Sequence, residues 1–314
     1  MGSETPLKLP VIDVTNLSVE VNGPKWEAVK SQVYEAVVEY GCFEAIYDKV
    51  PADLLKAMFA AIKELFDLPL QTKQLNVSEK PYHGYFGQHP MVPLFERMTI
   101  EDANVYEKVD SMTNTWWPKG NPSFSKTIQA YSEQLSELDQ IIRRMILESM
   151  GVEKYLEEHM NTSNYVLRVV KYECPQNNDT EVGLSEHTDR NIMTILYQNE
   201  VEGLEVMTKD GKWISYKPSP NSFVVMIGDS LHAWSNGRVY PPFHRVMMSG
   251  NKARYSVGLF YTPKGGNLVK APEELVDEEH PLLFKPFDFV EFFNYLYSEK
   301  CQGDQSPLHT FCGV

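Results

Sequence analysis

From about residue 161 to Pro263 the chain passes through short β-rich runs, YVLRVVKY, NIMTILYQ, FVVMIGD, RVMMSG and RYSVGLFY, separated by turn residues. Their β-branched and aromatic residues suit a pleated surface. No long amphipathic helical pattern falls between Tyr165 and Pro263. Parallel strands need such crossovers, so the spacing predicts antiparallel strands in a sandwich or jelly roll. One turn is explicit: Asp210-Gly211 stands between LEVMT and WISYK, a strong hairpin signal.

The flanks have a helical period. Trp26 to Tyr40 carries Val29, Val33 and Val37 on one side and ends at Gly41, a C-cap signal. In PADLLKAMFAAIKELFDLP, Leu54, Met58, Ile62 and Phe66, with Leu55 and Phe59 beside them, recur at helical spacing after Pro51, and Pro69 stops the run. A third helix is predicted from Thr127 to Met150, with Leu135, Leu138, Ile142 and Met145 inward. Helical texture returns in FKPFDFVEFFNYLYSEK. A chain of 314 residues allows two domains, or one large β domain with helical additions. With no repeat and no flexible linker, the expectation is one unit over 1–314: a mainly helical region 1–160, a β core 161–265 and a C-terminal helical segment 266–314.

Composition narrows the function. Apolar residues are 42% and charged residues 23%, the usage of a folded globular protein. The net charge of −14 argues against broad attraction to nucleic acid or anionic lipid. The partner expected is a small molecule, with no nucleic acid and no membrane, bound by a monomer. Cys42, Cys174, Cys301 and Cys312 have no metal-like spacing and read as reduced thiols. No apolar stretch of about 18 residues, no signal-like start and no lipidation pattern occurs, so a cytoplasmic location is expected.

The segment with most chemical content is Ser185-Glu186-His187-Thr188-Asp189. Residues i and i+2 of a strand share a face, so His187 and Asp189 can aim an imidazole and a carboxylate at one point. Alone, such a pair describes many polar strand ends. Farther on, Phe243-His244-Arg245-Val246 offers a second imidazole. Two His and one carboxylate form the facial set of non-haem Fe(II) oxygenases, with positions left open. Zinc hydrolysis could use the same ligands but leaves Arg254-Tyr255-Ser256 unexplained. Arg254 and Ser256 share a strand face, and the guanidinium fork suits a carboxylate in bidentate fashion. An acid co-substrate is implied.

His187-x-Asp189, His244 and Arg254-x-Ser256, in this order, resemble the plant Fe(II)- and 2-oxoglutarate-dependent dioxygenases. The likeness extends through LPVIDV, YGCFEA, LPL, VEGLEVMTKDGKWISYKP, VMIGDSLHAWSNGR and EELVDEEHP. HGYFG, EDANVYEKV and HTDRNIMTIL are most similar to the AOP clade that makes alkenyl and hydroxyalkyl glucosinolates, which itself resembles glycoalkaloid and gibberellin oxygenases. The resemblance implies a double-stranded β-helix, or distorted jelly roll, with flanking helices. It implies Fe(II) on His187, Asp189 and His244, and 2-oxoglutarate on Arg254, Ser256 and Tyr172. The reaction implied oxidises a C–H bond of a plant specialised metabolite or hormone, 2-oxoglutarate and O₂ giving succinate and CO₂, with ascorbate as assay reductant. Phe260 falls where family members place an aromatic against substrate, and Tyr82, His83, Tyr85 and Phe86 where they close over the pocket.

Other readings stand beside these. Arg190 either meets an acidic or sulfated substrate at the pocket mouth or is a solvated arginine. Phe287, Phe289, Phe292, Phe293 and Tyr295 either wall the pocket or form core. Asp229 and Ser235-Asn236-Gly237 read as strand-end and hairpin chemistry, with Asp229 taking backbone donors. Val170-Lys171-Tyr172 replaces the family's Asn-Tyr-Tyr, removing an amide near 2-oxoglutarate, and Ala45-Ile46-Tyr47 replaces its Asn-His-Gly. Two alternatives to the oxygenase are a jelly roll that binds a small molecule without turnover and an ascorbate-dependent iron oxidase of the same fold.

Overall fold

A computed structural model describes residues 7–17, 23–78, 80, 83–176, 180–304 and 306–314. Besides a small pair, Leu268–Val269 with Phe287–Asp288, the strands are β1 Val11–Asp13, β2 Cys42–Ile46, β3 Phe95–Glu101, β4 Ser163–Tyr172, β5 Glu181–His187, β6 Met193–Gln198, β7 Leu204–Met207, β8 Trp213–Ser215, β9 Ser222–Ile227, β10 His244–Met248 and β11 Arg254–Pro263; β1 to β11 build the two main sheets. They form a seven-stranded sheet, β1-β2-β9-β6-β11-β4-β3, and a four-stranded sheet, β5-β10-β7-β8. Every pairing but β1 with β2 is antiparallel. The hairpin at Asp210-Gly211 joins β7 to β8, and Gly211 has φ +81°, the left-handed conformation that favours glycine there.

Strand alternation divides the large sheet into two faces. Leu167, Val169, Ile195, Val225, Val257 and Leu259 turn to one side and pack with Val33, Met58, Ile62, Leu135 and Ile142 of the helices Pro24–Glu39, Ala52–Phe66 and Pro122–Ser149. The helix Pro122–Ser149 starts at a cap, the Asn121 side chain accepting from Phe124 N–H at 3.1 Å. Buried Asp139 and Arg143 on it pair with each other, the Tyr165 hydroxyl donates to Asp139 at 2.9 Å, and the guanidinium covers the Tyr261 ring at 3.4 Å. That polar knot ties the longest helix to β4 and β11. The other face of the sheet looks toward β5, β10 and β7, and the cavity lies there.

The boundary expected at residue 161 does not hold for the sheet. β1, β2 and β3 come from the region read as helical and supply two edges of the large sheet. VID and CFEAI are too short to show a period, and β3 has buried residues on both faces. Ser235-Asn236-Gly237 ends the short helix Asp229–Trp234 and is not a hairpin. The Asn236 amide there donates to Leu275 O at 3.0 Å. Among the described residues, no helix is long and apolar enough to cross a membrane.

Candidate metal centre and its cavity

His187 ends β5, His244 begins β10, and the two are direct partners in the antiparallel ladder. Partner side chains rise from the same face, so the imidazoles meet with ring centroids 4.2 Å apart. His187 Nδ1 lies 2.8 Å from Ser185 O, and His244 Nδ1 lies 3.3 Å from Pro242 O. A ring nitrogen facing a carbonyl carries the proton, which leaves Nε2 of both rings as a lone-pair donor.

Asp189 lies past the end of β5, so strand alternation alone does not place it. The loop that carries it is clamped from outside. The main-chain N–H groups of Gly228, Asp229 and Ser230 donate to the carbonyls of Ile192, Asp189 and Asn191 at 3.0, 2.8 and 3.1 Å. Gly228 permits that approach, since a Cβ there would stand 2.0 Å from the Asn191 carbonyl oxygen. The Asp229 carboxylate takes the Thr188 hydroxyl at 3.2 Å and Arg190 at 2.5 Å, and so binds side chains of this loop and not the backbone donors expected for it.

The Asp189 carboxylate accepts from the Thr194 hydroxyl at 2.6 Å on Oδ2, and Oδ1 lies 3.9 Å from His244 Nε2. One ligand atom from each of His187, Asp189 and His244 lies within 4.8 Å of the others, the one group of this kind among the described residues. Two imidazole nitrogens and a carboxylate oxygen on one side of a point suit a divalent transition metal and leave its other side open. Burial, with His244 alongside, pushes His187 down to about 4, so its ring is neutral and able to ligate. Burial alone would raise the Asp189 carboxyl. His244, His187 and the Thr194 hydroxyl outweigh it and hold the group below its usual value.

These groups open on a cavity of about 900 Å³. Ladder register sets Arg254 of β11 opposite Tyr172 of β4, and both face the cavity. The buried guanidinium donates from Nη2 to Gln198 Oε1 at 2.7 Å and from Nη1 to Ser256 Oγ at 3.4 Å, and its centre lies 5.1 Å from the Tyr172 ring. Its Nε is buried with no acceptor. A buried cation with an open N–H and a hydroxyl beside it fits a carboxylate. Burial lowers the Arg254 pKa and pushes the Tyr172 hydroxyl up to about 12, which keeps that hydroxyl a donor.

The remaining sequence candidates separate. Phe260, His83 and Phe86 line the cavity. Tyr85 does not: its ring packs toward the helical core and Lys73, and its hydroxyl donates to Glu96 at 2.8 Å. Tyr82 lies outside the described residues. Arg190 lines the cavity, and its Nη1 donates to the Thr188 hydroxyl and the Asp229 carboxylate, so it is ion-paired within the fold while remaining partly exposed. Of the C-terminal aromatics, Phe289 and Phe293 face the cavity, while Phe287, Phe292 and Tyr295 join a separate small core with Phe284 and Leu308. Thr194, Gln198, Arg97 and Arg168 were not singled out from the sequence. Alternation along MTILYQ, which sends 194, 196 and 198 to one face, was the signal for the first two.

Comparison with known proteins follows the same lines. The family described as "2OG-Fe(II) oxygenase superfamily" matches residues 158–263, and the one described as "non-haem dioxygenase in morphine synthesis N-terminal" matches residues 9–104. The Arabidopsis thaliana protein named "Probable 2-oxoglutarate-dependent dioxygenase AOP1.2" is 50% identical over 97% of this chain and 95% of its own. "2-oxoglutarate-dependent dioxygenase AOP3" of Arabidopsis thaliana is 35% identical, covering 100% of this chain and 99% of its own. Among solved structures, the rice dioxygenase for auxin oxidation superposes with TM-score 0.82 at 29% identity, over 98% of this chain and 100% of that one. JOX2, solved with 2OG, Fe and JA, superposes with TM-score 0.81 at 26% identity, over 99% of this chain and 90% of that one.

Proposed function

The chain belongs to the 2OG-Fe(II) oxygenase superfamily and is a 2-oxoglutarate-dependent dioxygenase, and on that premise we propose that His187, Asp189 and His244 hold its iron while Arg254, Ser256 and Tyr172 hold 2-oxoglutarate. The observation that carries the assignment is the direct cross-strand pairing of His187 with His244, with a ligand atom of Asp189 within 4.8 Å of both.

Bound there, iron supplies with 2-oxoglutarate and O₂ the oxidation of a C–H bond, with succinate and CO₂ as co-products. The chain's own groups bind, orient and exclude water. Both Nε2 atoms and the Asp189 carboxylate would hold the metal, with positions left for co-substrate and O₂. Arg254 and Ser256 fix the far carboxylate of 2-oxoglutarate, with the Tyr172 hydroxyl donating beside them. Leu184, Leu196, Leu204, Met226 and Val246 wall the space between with apolar surface. His83 and Phe86 close the rim.

The substrate is read as a plant specialised metabolite or hormone, supported by the AOP relatives and by the auxin- and JA-associated structures. The test is spectroscopic. Anaerobic Fe(II) plus 2-oxoglutarate should give the weak visible charge-transfer band of the chelate, and His187→Ala should abolish it. A folded, iron-loaded protein with no band and no 2-oxoglutarate binding would overturn the assignment.

A further inference from the structure

Resting on that assignment of the metal, we infer that Asp229 is a positioning residue for it: the Asp229 carboxylate holds the Arg190 guanidinium off Asp189 and so leaves the Asp189 carboxylate to the metal. Asp229 is buried at the start of the helix Asp229–Trp234 and reaches both neighbours of Asp189. Its Oδ2 accepts from the Thr188 hydroxyl at 3.2 Å and from Arg190 Nη1 at 2.5 Å. Nη1 also donates to the Thr188 hydroxyl at 2.8 Å. The result is a closed triangle made of Asp229 and the two side chains that flank Asp189.

The backbone of this loop does not need that carboxylate. Four successive carbonyls, of Asp189, Arg190, Asn191 and Ile192, accept from Asp229 N–H at 2.8 Å, the Ser230 hydroxyl at 2.6 Å, Ser230 N–H at 3.1 Å and Gly228 N–H at 3.0 Å. None of these donors belongs to the Asp229 side chain. With the main chain clamped, what the carboxylate adds is its charge and the orientation of one guanidinium. Asp189 and Arg190 are consecutive, and both line the cavity. An unpaired guanidinium there would compete with a divalent cation for the Asp189 carboxylate and repel that cation through a partly buried, low-dielectric space. Among the described residues, Asp229 is the one carboxylate in an ion pair with Arg190. Glu186 and Asp304 also line the cavity, and a freed guanidinium that turned to either would leave Asp189 alone. Metal affinity reads which of these happens.

The experiment is anaerobic titration of Co(II), a stand-in for Fe(II), with thermal melting of every protein used. The proteins are the parent, Asp229→Asn and Asp229→Ser, and each of these two combined with Arg190→Gln. Two substitutions of Asp229 are used so that the result does not hang on one variant's fold. Each folded single variant should bind Co(II) about tenfold or more weakly than the parent, the usual effect of losing a contact that orients a metal ligand. Adding Arg190→Gln should recover at least half of that factor on a logarithmic scale, because the competing charge is gone. If Asp229 served the fold alone, Arg190→Gln would cut a further contact and recover nothing. A smaller loss in the single variants overturns the inference, as does a loss that Arg190→Gln leaves in place, or single variants that both fail to fold. Co(II) binding by the parent, abolished by His187→Ala, is read first. Its absence sinks the metal assignment as well, whereas binding indifferent to Asp229 sinks the inference alone.

Discussion

His187 and His244 face each other as direct partners across the β5–β10 ladder, and each ring has its Nδ1 on a carbonyl two residues upstream. The two imidazoles are held by the same local device on antiparallel strands, so both Nε2 atoms converge without help from the metal. Such pre-orientation lowers the entropy lost on binding. The Asp189 carboxylate is held differently, by a loop clamped from the Gly228 turn and by the Thr194 hydroxyl.

The Thr194 hydroxyl should matter to the metal through Asp189. Thr194→Val is expected to weaken Fe(II) or Co(II) affinity by about tenfold to a hundredfold, the usual effect of losing a hydrogen bond that orients a ligand. Thr194→Ser should restore most of it. Metal titration of the folded variants, with thermal melting as a control, decides; equal affinity in the Val variant would remove the role.

Arg254→Leu should weaken 2-oxoglutarate binding by about tenfold or more, since charged hydrogen bonds are worth roughly 1.5 to 3 kcal/mol each. Iron binding should persist, because the ligands lie on other strands. An unchanged co-substrate affinity would contradict the role given to Arg254.

Gly228→Ala should be costly although alanine is small. The new methyl would have to displace the Asn191 carbonyl oxygen, 2.0 Å from the ideal Cβ position. A loss of about 1 to 3 kcal/mol is expected in denaturant unfolding, with weaker metal binding because the same loop carries Asp189. A variant as stable as the parent would show that the clamp yields freely.

His159 gives a pH signature. Its ring is buried near Trp234 and Tyr261, with neither nitrogen hydrogen-bonded within the protein. Burial, with Arg143 nearby, pushes its pKa from 6.5 down to about 3. Between those values the unfolded chain binds the proton and the folded chain does not. The stability it contributes is therefore complete above about pH 6.5 and falls as pH drops toward 3, by roughly 1.4 kcal/mol per unit. His159→Phe should remove that slope, read as the difference between parent and variant in unfolding free energy at pH 6.5 and 4.5. Parallel curves would refute it.

The candidate metal ligands were legible in the sequence because few residue types perform that chemistry, and the Arg254-x-Ser256 pair because strand alternation puts i and i+2 on one face; Asp189, past the end of β5, is placed by its loop instead. The short β runs, the Asp-Gly hairpin and the three amphipathic helices were legible for the same local reason. Tyr85 and Phe86 were not separable, since adjacent residues on an irregular segment give no period: Phe86 bridges to Arg97 and enters the cavity, while Tyr85 turns to Glu96. Arg190 read as a free cation because its partner Asp229 lies on another element.

The chain alone thus determined which side chains could hold iron and an acid, through residue chemistry and the period of its strands. Tertiary structure decided what surrounds them. Arg97 and Arg168 lie far apart in sequence and become neighbours only when β3 pairs with β4, and three strands from the helical region complete the sheet that carries the cavity floor. Local pattern fixes the face on which a residue lies. The partner strand and register decide which charges share that face, and those are set by packing over the whole chain.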